Sequence, residues 1–237
     1  MTMMQNSKGE GARVLFFGRN KCDYSQALLS KLKIYGFDVT YIKSKGRGEN
    51  LPEDIMWWEG EYIICFRSLF ILPNTLIKKA KVAAINFHPA PPEYPGSGCI
   101  NFALYNGVDE YGVTAHMMNE KIDNGEIIEV RRFPVNKLDD LRTVLSRTQS
   151  ELFHLCSDFI NSLAVKGKTA IQEKKNLSKN EHWKGNARLM SELEALQNIN
   201  PDVSKEELQK IIRATYIEGF PPKIEIHGYS FYLNLKV

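Results

Sequence analysis

A chain of 237 residues with 43% apolar and 25% charged side chains has the balance of an ordinary globular protein, and we read it as a core of about 150 residues with a smaller appendage. No stretch approaches the roughly 18 uninterrupted apolar residues of a membrane span. The net charge of +3 divides evenly, with 19 basic and 17 acidic side chains in residues 1–150 and 12 and 11 in residues 151–237, so no part of the chain carries the concentrated positive charge of a nucleic-acid binder.

The start, MTMMQNSKGEGAR, is polar and lacks the apolar segment of a secretory signal, so residues 1–11 read as a flexible tail and the protein is expected in the cytoplasm. ARVLFFG (12–18) is a short apolar run ending at glycine, as in a strand buried on both faces. SQALLSKLKIYG follows with apolar residues at helical spacing, capped by Asp23 or Ser25 and stopped at Gly36. FDVTYIKS is the next strand, KGRGENLPED a loop, EYIICFRS (61–68) a strand, LPNTLIKKAK a short helix after Pro73, and VAAINFH a further strand. Strands alternating with helices predict an α/β fold with right-handed crossovers and a mostly parallel sheet.

AAINFHPAPPEYPGSG (83–98) then runs from a strand into a loop stiffened by proline. CINFALYNG reads as a helix ending at Gly107, and EYGVTAHMM as a strand with Val113, Ala115 and Met117 on one side and Thr114 and His116 on the other. KIDNGEIIEVRRFPV holds an Asp-Asn-Gly turn and a strand closing at Pro134, and residues 138–167 form a long amphipathic helix stopped by Gly167. After it NLSKNEHWKGNARL is irregular, a helix over VSKEELQKIIRAT is capped by Ser204, and KIEIHGYSFYLNLKV is a hairpin around His227-Gly228.

Parallel α/β sheets bind ligands at the carboxyl ends of their strands. Asn86 and His88 end one strand, two residues apart and hence on one face, and Asp123 occupies a later turn, so the three can converge. A histidine there can take a proton, an asparagine amide can donate to a developing oxyanion, and a carboxylate can orient the imidazole, which together equip a site for acyl transfer. For Asn-x-His alone, a strand-end histidine bonded to backbone is the commoner role. His116 reads as an inward structural histidine. A metal held by His88, His116 and Asp123 lacks ligand spacing on one element, so no metal is expected. Cys99 beside His88 is a minor alternative nucleophile. The four cysteines, Cys22, Cys65, Cys99 and Cys156, form no CxxC pair, which leaves no disulfide framework. The first strand is not followed by GxGxxG, against a nicotinamide dinucleotide fold.

Taken whole, INFHPAPPEYPGSG followed by Asp123 in GVTAHMMNEKIDNGEII resembles the folate-dependent formyltransferase family over residues 12–135. The family's loop usually reads His-x-Ser-Leu-Leu-Pro; the loop here, HPAPPEYPG, is a residue shorter than the family's and has lost the Ser-Leu-Leu. The resemblance implies a Rossmann-like formyltransferase fold, a catalytic domain over 12–167, and a C-terminal extension of helix and β-hairpin over 168–237. It makes Asn86, His88 and Asp123 the catalytic trio and 10-formyltetrahydrofolate the formyl donor. It sets the donor's pterin against main-chain groups of Phe70, Ile71 and Leu72 and of the NEKID turn, at Asn119 and Ile122.

Three acceptors follow from that resemblance. Methionyl-tRNA enzymes carry a further, basic domain, whereas residues 151–237 have a net charge of +1. Glycinamide-ribonucleotide enzymes place Gly-Asn-Gly-Ser-Asn after the first strand, where this chain has Gly18-Arg19-Asn20-Lys21. The stretch from Trp183 through Arg213-Ala214-Thr215 to PPKIEIHGYSFYL is similar to the C-terminal region of bacterial sugar N-formyltransferases. That implies a nucleotide-linked amino sugar, dTDP-4-amino-4,6-dideoxyglucose first, for O-antigen sugar synthesis, with Tyr94 to stack on the base and Arg67 to meet the pyrophosphate. The hairpin's alternating pattern implies a homodimer built on the C-terminal region. A non-catalytic module that binds folate or nucleotide sugar is the alternative of another class, and a retained base argues against it.

Overall fold

In the computed structural model, which describes residues 11–235, a six-stranded sheet has the order β2-β1-β3-β4-β5-β6. The strands are β1 (Arg13–Arg19), β2 (Asp38–Ser44), β3 (Gly60–Phe66), β4 (Ala80–His88), β5 (Glu110–Met117) and β6 (Ile127–Pro134). The first four run parallel, and β5 and β6 continue the sheet antiparallel. The expected tail lies outside the described residues apart from Gly11, as do Lys236 and Val237 at the end of the hairpin. No helix among the described residues is long and apolar enough to cross a membrane.

The central strands read as unbroken apolar runs because both faces are covered. Val14, Phe16, Ile64, Ile85 and Phe87 pack under α1 (Asp23–Ile34) and α4 (Leu141–Lys166), against Leu28, Leu32, Leu155 and Phe159. On the opposite face, Leu15, Phe17, Ile63 and Ala84 meet Ile55, Trp58 and Leu76. Leu76 belongs to the short α2 (Asn74–Ile77), and Ile55 to a 3-10 turn, Glu53–Trp57, that begins inside the expected loop. A third cluster joins α3 (Cys99–Tyr105) to Tyr111, Phe133, the first turn of α4 and Ala214.

The region after Gly167 is more ordered than its polarity suggests. Two helices form there that the sequence pattern does not announce, α5 (Lys168–Leu177) and α6 (Met190–Gln197). Few apolar side chains hold α5: Ala170 and Ile171 are buried, while Lys174 and Lys175 pair with Glu129 and Glu126 beside β6. With so short an apolar stripe, the helix depends on tertiary contact rather than on its own pattern. The last helix, α7 (Lys205–Thr215), starts as expected, the Ser204 hydroxyl accepting from Glu207 N at 3.2 Å.

The Arg-Ala-Thr motif at the end of α7 is a joint. Arg213 donates to the carbonyls of Asp139 and Asn136, both at 3.0 Å, ahead of α4. Ala214 is fully buried and its carbonyl accepts from Asn101 of α3 at 2.7 Å. The chain then forms the hairpin of β7 (Lys223–Ile226) and β8 (Tyr229–Tyr232), with His227 and Gly228 both left-handed in the turn, as a two-residue hairpin connection requires.

Candidate active site

Asn86 and His88 project from the same face of β4, and antiparallel pairing sets His116 of β5 opposite Asn86 and Thr114 opposite His88. Four polar side chains therefore share one patch at the carboxyl end of a parallel strand. Thr114 Oγ1 donates to Ala90 O at 2.7 Å and Tyr111 Oη to Pro89 O at 3.0 Å, which stakes the start of the proline-rich loop to β5. The stiff loop is thus held down at its base, and its tip returns to the site.

Asp123 enters from the turn between β5 and β6 with φ 44, in the left-handed region that Asp tolerates better than most residues. Its Oδ2 lies 3.2 Å from His88 Nδ1 and accepts from Gly96 N at 2.9 Å, and its Oδ1 lies 3.4 Å from both Asn86 Nδ2 and His116 Nε2. Gly96 has φ 87, and a Cβ there would stand 2.4 Å from Arg188 N, so only glycine lets the loop tip approach this closely. His116 Nδ1 donates to Met117 O at 2.8 Å, which presents its Nε2 as the acceptor for Asn86 Nδ2 at 3.1 Å. The asparagine amide is thereby turned with its donors toward His116 and Asp123.

Burial tends to raise the Asp123 carboxyl, but His88, His116 and the Gly96 amide outweigh it and hold the group down at about 2. It is a carboxylate at neutral pH. For His88 the order is reversed: burial lowers the imidazole and prevails over Asp123 and the Tyr94 carbonyl, leaving it below the ordinary histidine value and neutral at pH 7. The ionised carboxylate takes the Nδ1 hydrogen. Nε2 lies 3.0 Å from Tyr94 O, and because a carbonyl only accepts, this contact is a hydrogen bond in the form of the imidazole that carries a hydrogen on Nε2.

The structure brings Asn86, His88 and Asp123 together, and adds two residues. His116 is inward, as its strand implies, yet it contacts both Asn86 and Asp123. Its place on the Asn86 side of the sheet is readable once β4 and β5 are paired. Trp183 stands edge-on to both imidazoles. No local pattern announces that contact, because Trp183 is 58 residues from Gly125, whose carbonyl its indole meets.

The remaining expected residues lie around this group. Phe70 packs edge-on against Phe17, and with Leu72 and Met118 borders the cluster that contains Ala84, two residues before Asn86. Ile71 is 78% exposed, and among the described residues no hydrogen bond uses the main-chain groups of Ile71 or Leu72. Asn119 and Ile122 are exposed, and Asn119 Oδ1 accepts from Lys121 N at 2.9 Å. Tyr94 turns its ring toward Tyr111 and takes the Asn106 amide on its hydroxyl, so its carbonyl, not its ring, meets the site. Arg67 lines a separate cavity of about 530 Å³ with Arg19, Lys21 and Gln149, its guanidinium 3.4 Å from Cys22 Sγ. The Cys99 thiol faces Pro89 O rather than His88, and burial raises it. No group of three or more His, Cys, Asp or Glu side chains suited to a metal ion occurs among the described residues.

Methionyl-tRNA formyltransferase of Listeria innocua is 35% identical over 116 residues, 47% of this chain, and the chain spans 37% of that relative's length. Solved structures align over nearly the whole chain at lower identity. A sugar N-formyltransferase from Shewanella sp. FDAARGOS_354 superposes with a TM-score of 0.74 at 21% identity, covering 94% of this chain and 97% of that one. An N-formyltransferase from Helicobacter canadensis, in complex with folinic acid and dTDP-3-aminofucose, superposes with a TM-score of 0.63 at 19% identity, covering 92% and 85%. The family model described as formyl transferase matches residues 12–156, the stretch that builds β1 to β6 and carries Asn86, His88 and Asp123, and the chain belongs to that family.

Proposed function

We propose that the protein transfers a formyl group from 10-formyltetrahydrofolate to the amine of a nucleotide-linked amino sugar, with dTDP-4-amino-4,6-dideoxyglucose as the first candidate. The observation that carries the chemistry is the geometry of the trio: the His88 imidazole with Nδ1 3.2 Å from the Asp123 carboxylate, and the Asn86 amide 3.4 Å from the same carboxylate. The folate supplies an activated formyl carbon. His88 Nε2 removes a proton from the attacking nitrogen, and the resulting imidazolium is met by Asp123 at Nδ1 and Tyr94 O at Nε2. Asn86 exchanges its long 3.4 Å contact with Asp123 for the formyl oxygen as negative charge develops there. The new C–N bond joins the formyl carbon to the sugar amine, the bond to the folate nitrogen breaks, and that nitrogen takes up a proton.

The sugar acceptor is supported by the reach of the likeness: the Shewanella sugar N-formyltransferase aligns through the C-terminal extension as well as the sheet. The Helicobacter canadensis enzyme was solved with a folate and a dTDP-amino sugar together. Methionyl-tRNA is the second reading, favoured by the higher identity of the curated relatives over the 116 residues they share with this chain. In this reading the protein works in the cytoplasm, in synthesis of O-antigen sugars, as a homodimer joined through the C-terminal hairpin. Incubation with 10-formyltetrahydrofolate and a panel of dTDP-, UDP- and GDP-linked amino sugars, methionyl-tRNA and glycinamide ribonucleotide, read by product mass, tests the acceptor. Formylation of a dTDP-amino sugar is expected, and turnover of methionyl-tRNA or glycinamide ribonucleotide instead overturns the choice.

A further inference from the structure

A base must meet its substrate, yet His88, His116 and Asp123 are only 4%, 2% and 8% exposed. Covering them are the proline-rich loop and, laid over it, a strap from the C-terminal extension headed by Trp183. Lys184 N donates to Pro92 O at 2.9 Å, Arg188 N to Pro95 O at 3.1 Å and Ser97 N to Arg188 O at 2.9 Å, so residues 184–188 lie along the proline-rich loop. That loop in turn gives Gly96 N to Asp123 and Tyr94 O to His88. At the head of the strap the Trp183 indole N–H donates to Gly125 O at 2.6 Å, two residues beyond Asp123. Its ring stands edge-on to His116, 5.0 Å between centres at 87°, and to His88, 5.8 Å at 66°. One side chain thus contacts both imidazoles and is bonded to the turn that bears Asp123.

We propose that Trp183 is a positioning residue for formyl transfer: its indole fixes the His88 ring against Asp123 and the His116 ring against the Asn86 amide, and keeps water away from His88. An edge-on ring restricts rotation of an imidazole without competing for its nitrogens, and a base whose orientation is fixed in advance needs no reorganisation during transfer. The kinetic part of this inference rests on the formyl-transfer reading. The structural part does not.

The pH consequence follows from the groups around His88. Asp123 faces it from the turn and Tyr94 through its carbonyl from the loop, and His116 of β5 stands on the far side of the Asp123 carboxylate, 3.4 Å from its Oδ1. Tyr111 of β5 and Cys99 of α3 lie by Pro89, both pushed upward by burial and so uncharged. Arg132, Glu93, Glu181 and Lys184 pair with one another beside the strap. Asp123 is therefore the charge in direct contact with His88, and exclusion of water is the effect that opposes it. Removing the indole admits water and leaves the carboxylate's pull in place.

Histidine-labelled protein, with the His88 resonance assigned through His88→Asn, can be titrated by NMR without any substrate. In Trp183→Ala the His88 midpoint is expected to rise by about one unit. In formylation assays kcat should fall about tenfold, as expected for a loosened rather than a missing base, with KM little changed and the acid limb of the pH profile moved upward. Should the alanine variant not fold, Trp183→Leu keeps apolar bulk while losing the ring edge and the Gly125 bond, and is expected to shift the midpoint and kcat in the same directions by a smaller factor. An unchanged His88 titration in whichever variant folds, or a loss confined to KM, overturns the proposal. If the wild-type protein formylates no acceptor on the panel, the functional reading fails by itself, and the titration still decides the role of Trp183.

Discussion

The carboxyl end of β4 buries two histidines and an ionised aspartate, whereas the hairpin at the other end of the chain leaves Tyr229, Phe231 and Tyr232 72%, 59% and 64% exposed. Each region inverts the usual partition of polar and apolar side chains. The two inversions differ in what satisfies them. Inside, every charged or polar group of the cluster has a partner within the molecule: Asp123 has His88, Asn86 and Gly96, and His116 has Met117 O. At the hairpin, β7 and β8 pair among the described residues with each other and through one bridge between Asn198 and Lys223, and aromatic side chains lie open on both faces of β8. Buried polarity that is fully paired suits chemistry, and exposed apolar surface that is not covered suits association.

The strongest way to break this comparison is to remove a member of the buried cluster. His88→Asn, Asn86→Ala and Asp123→Asn are each expected to lower kcat by about a hundredfold or more, with effects that do not add because the proposed mechanism has the three act on one proton and one oxygen. Retention of more than about a tenth of wild-type kcat in His88→Asn, measured by tetrahydrofolate release, removes His88 as the base.

Next in size is the exposed face. Replacing Phe231 and Tyr232 together by lysine should convert a dimer into a monomer in light scattering at micromolar concentration, with kcat per chain close to wild type. A wild-type protein that is already monomeric, or a dimer indifferent to both lysines, separates the hairpin from assembly.

A smaller effect sharpens the electrostatic half of the contrast. The folded protein holds His88 below the ordinary value of 6.5, so the unfolded chain takes up that proton first. The stability His88 contributes is complete above about pH 6.5 and is lost as pH falls through the lower, folded value. Asp123, depressed from 3.8 to about 2, adds a second loss between those two values. Thermal melts should show Tm falling from pH 7 toward pH 5, and His88→Asn should flatten that part of the slope. A Tm that rises over the same interval contradicts the assigned direction.

The smallest expected effect lies away from both regions. Ser204→Ala removes the N-cap of α7 and should cost about 1 kcal/mol in denaturant unfolding while leaving formylation unchanged. Loss of activity in that variant would tie α7 to the site more closely than its joint with α3 and α4 implies.

What the sequence determined by itself was local or strictly periodic. Apolar runs such as ARVLFFG and VAAINFH specify strands covered on both faces, and Ser204 and the His227-Gly228 turn mark a helix start and a hairpin by the requirements of their own backbone. The two-residue spacing of Asn86 and His88 sets them on one face wherever the strand lies. Only the tertiary structure decided that β5 would present His116 to Asn86, since that depends on an antiparallel register between segments 30 residues apart. It also decided that α5 and α6 would form, that Tyr94 would commit its ring to Tyr111, and that Trp183 would close over His88 and His116. These are contacts between distant parts of the chain, and their free energy comes from packing and paired charge that no short window of sequence contains.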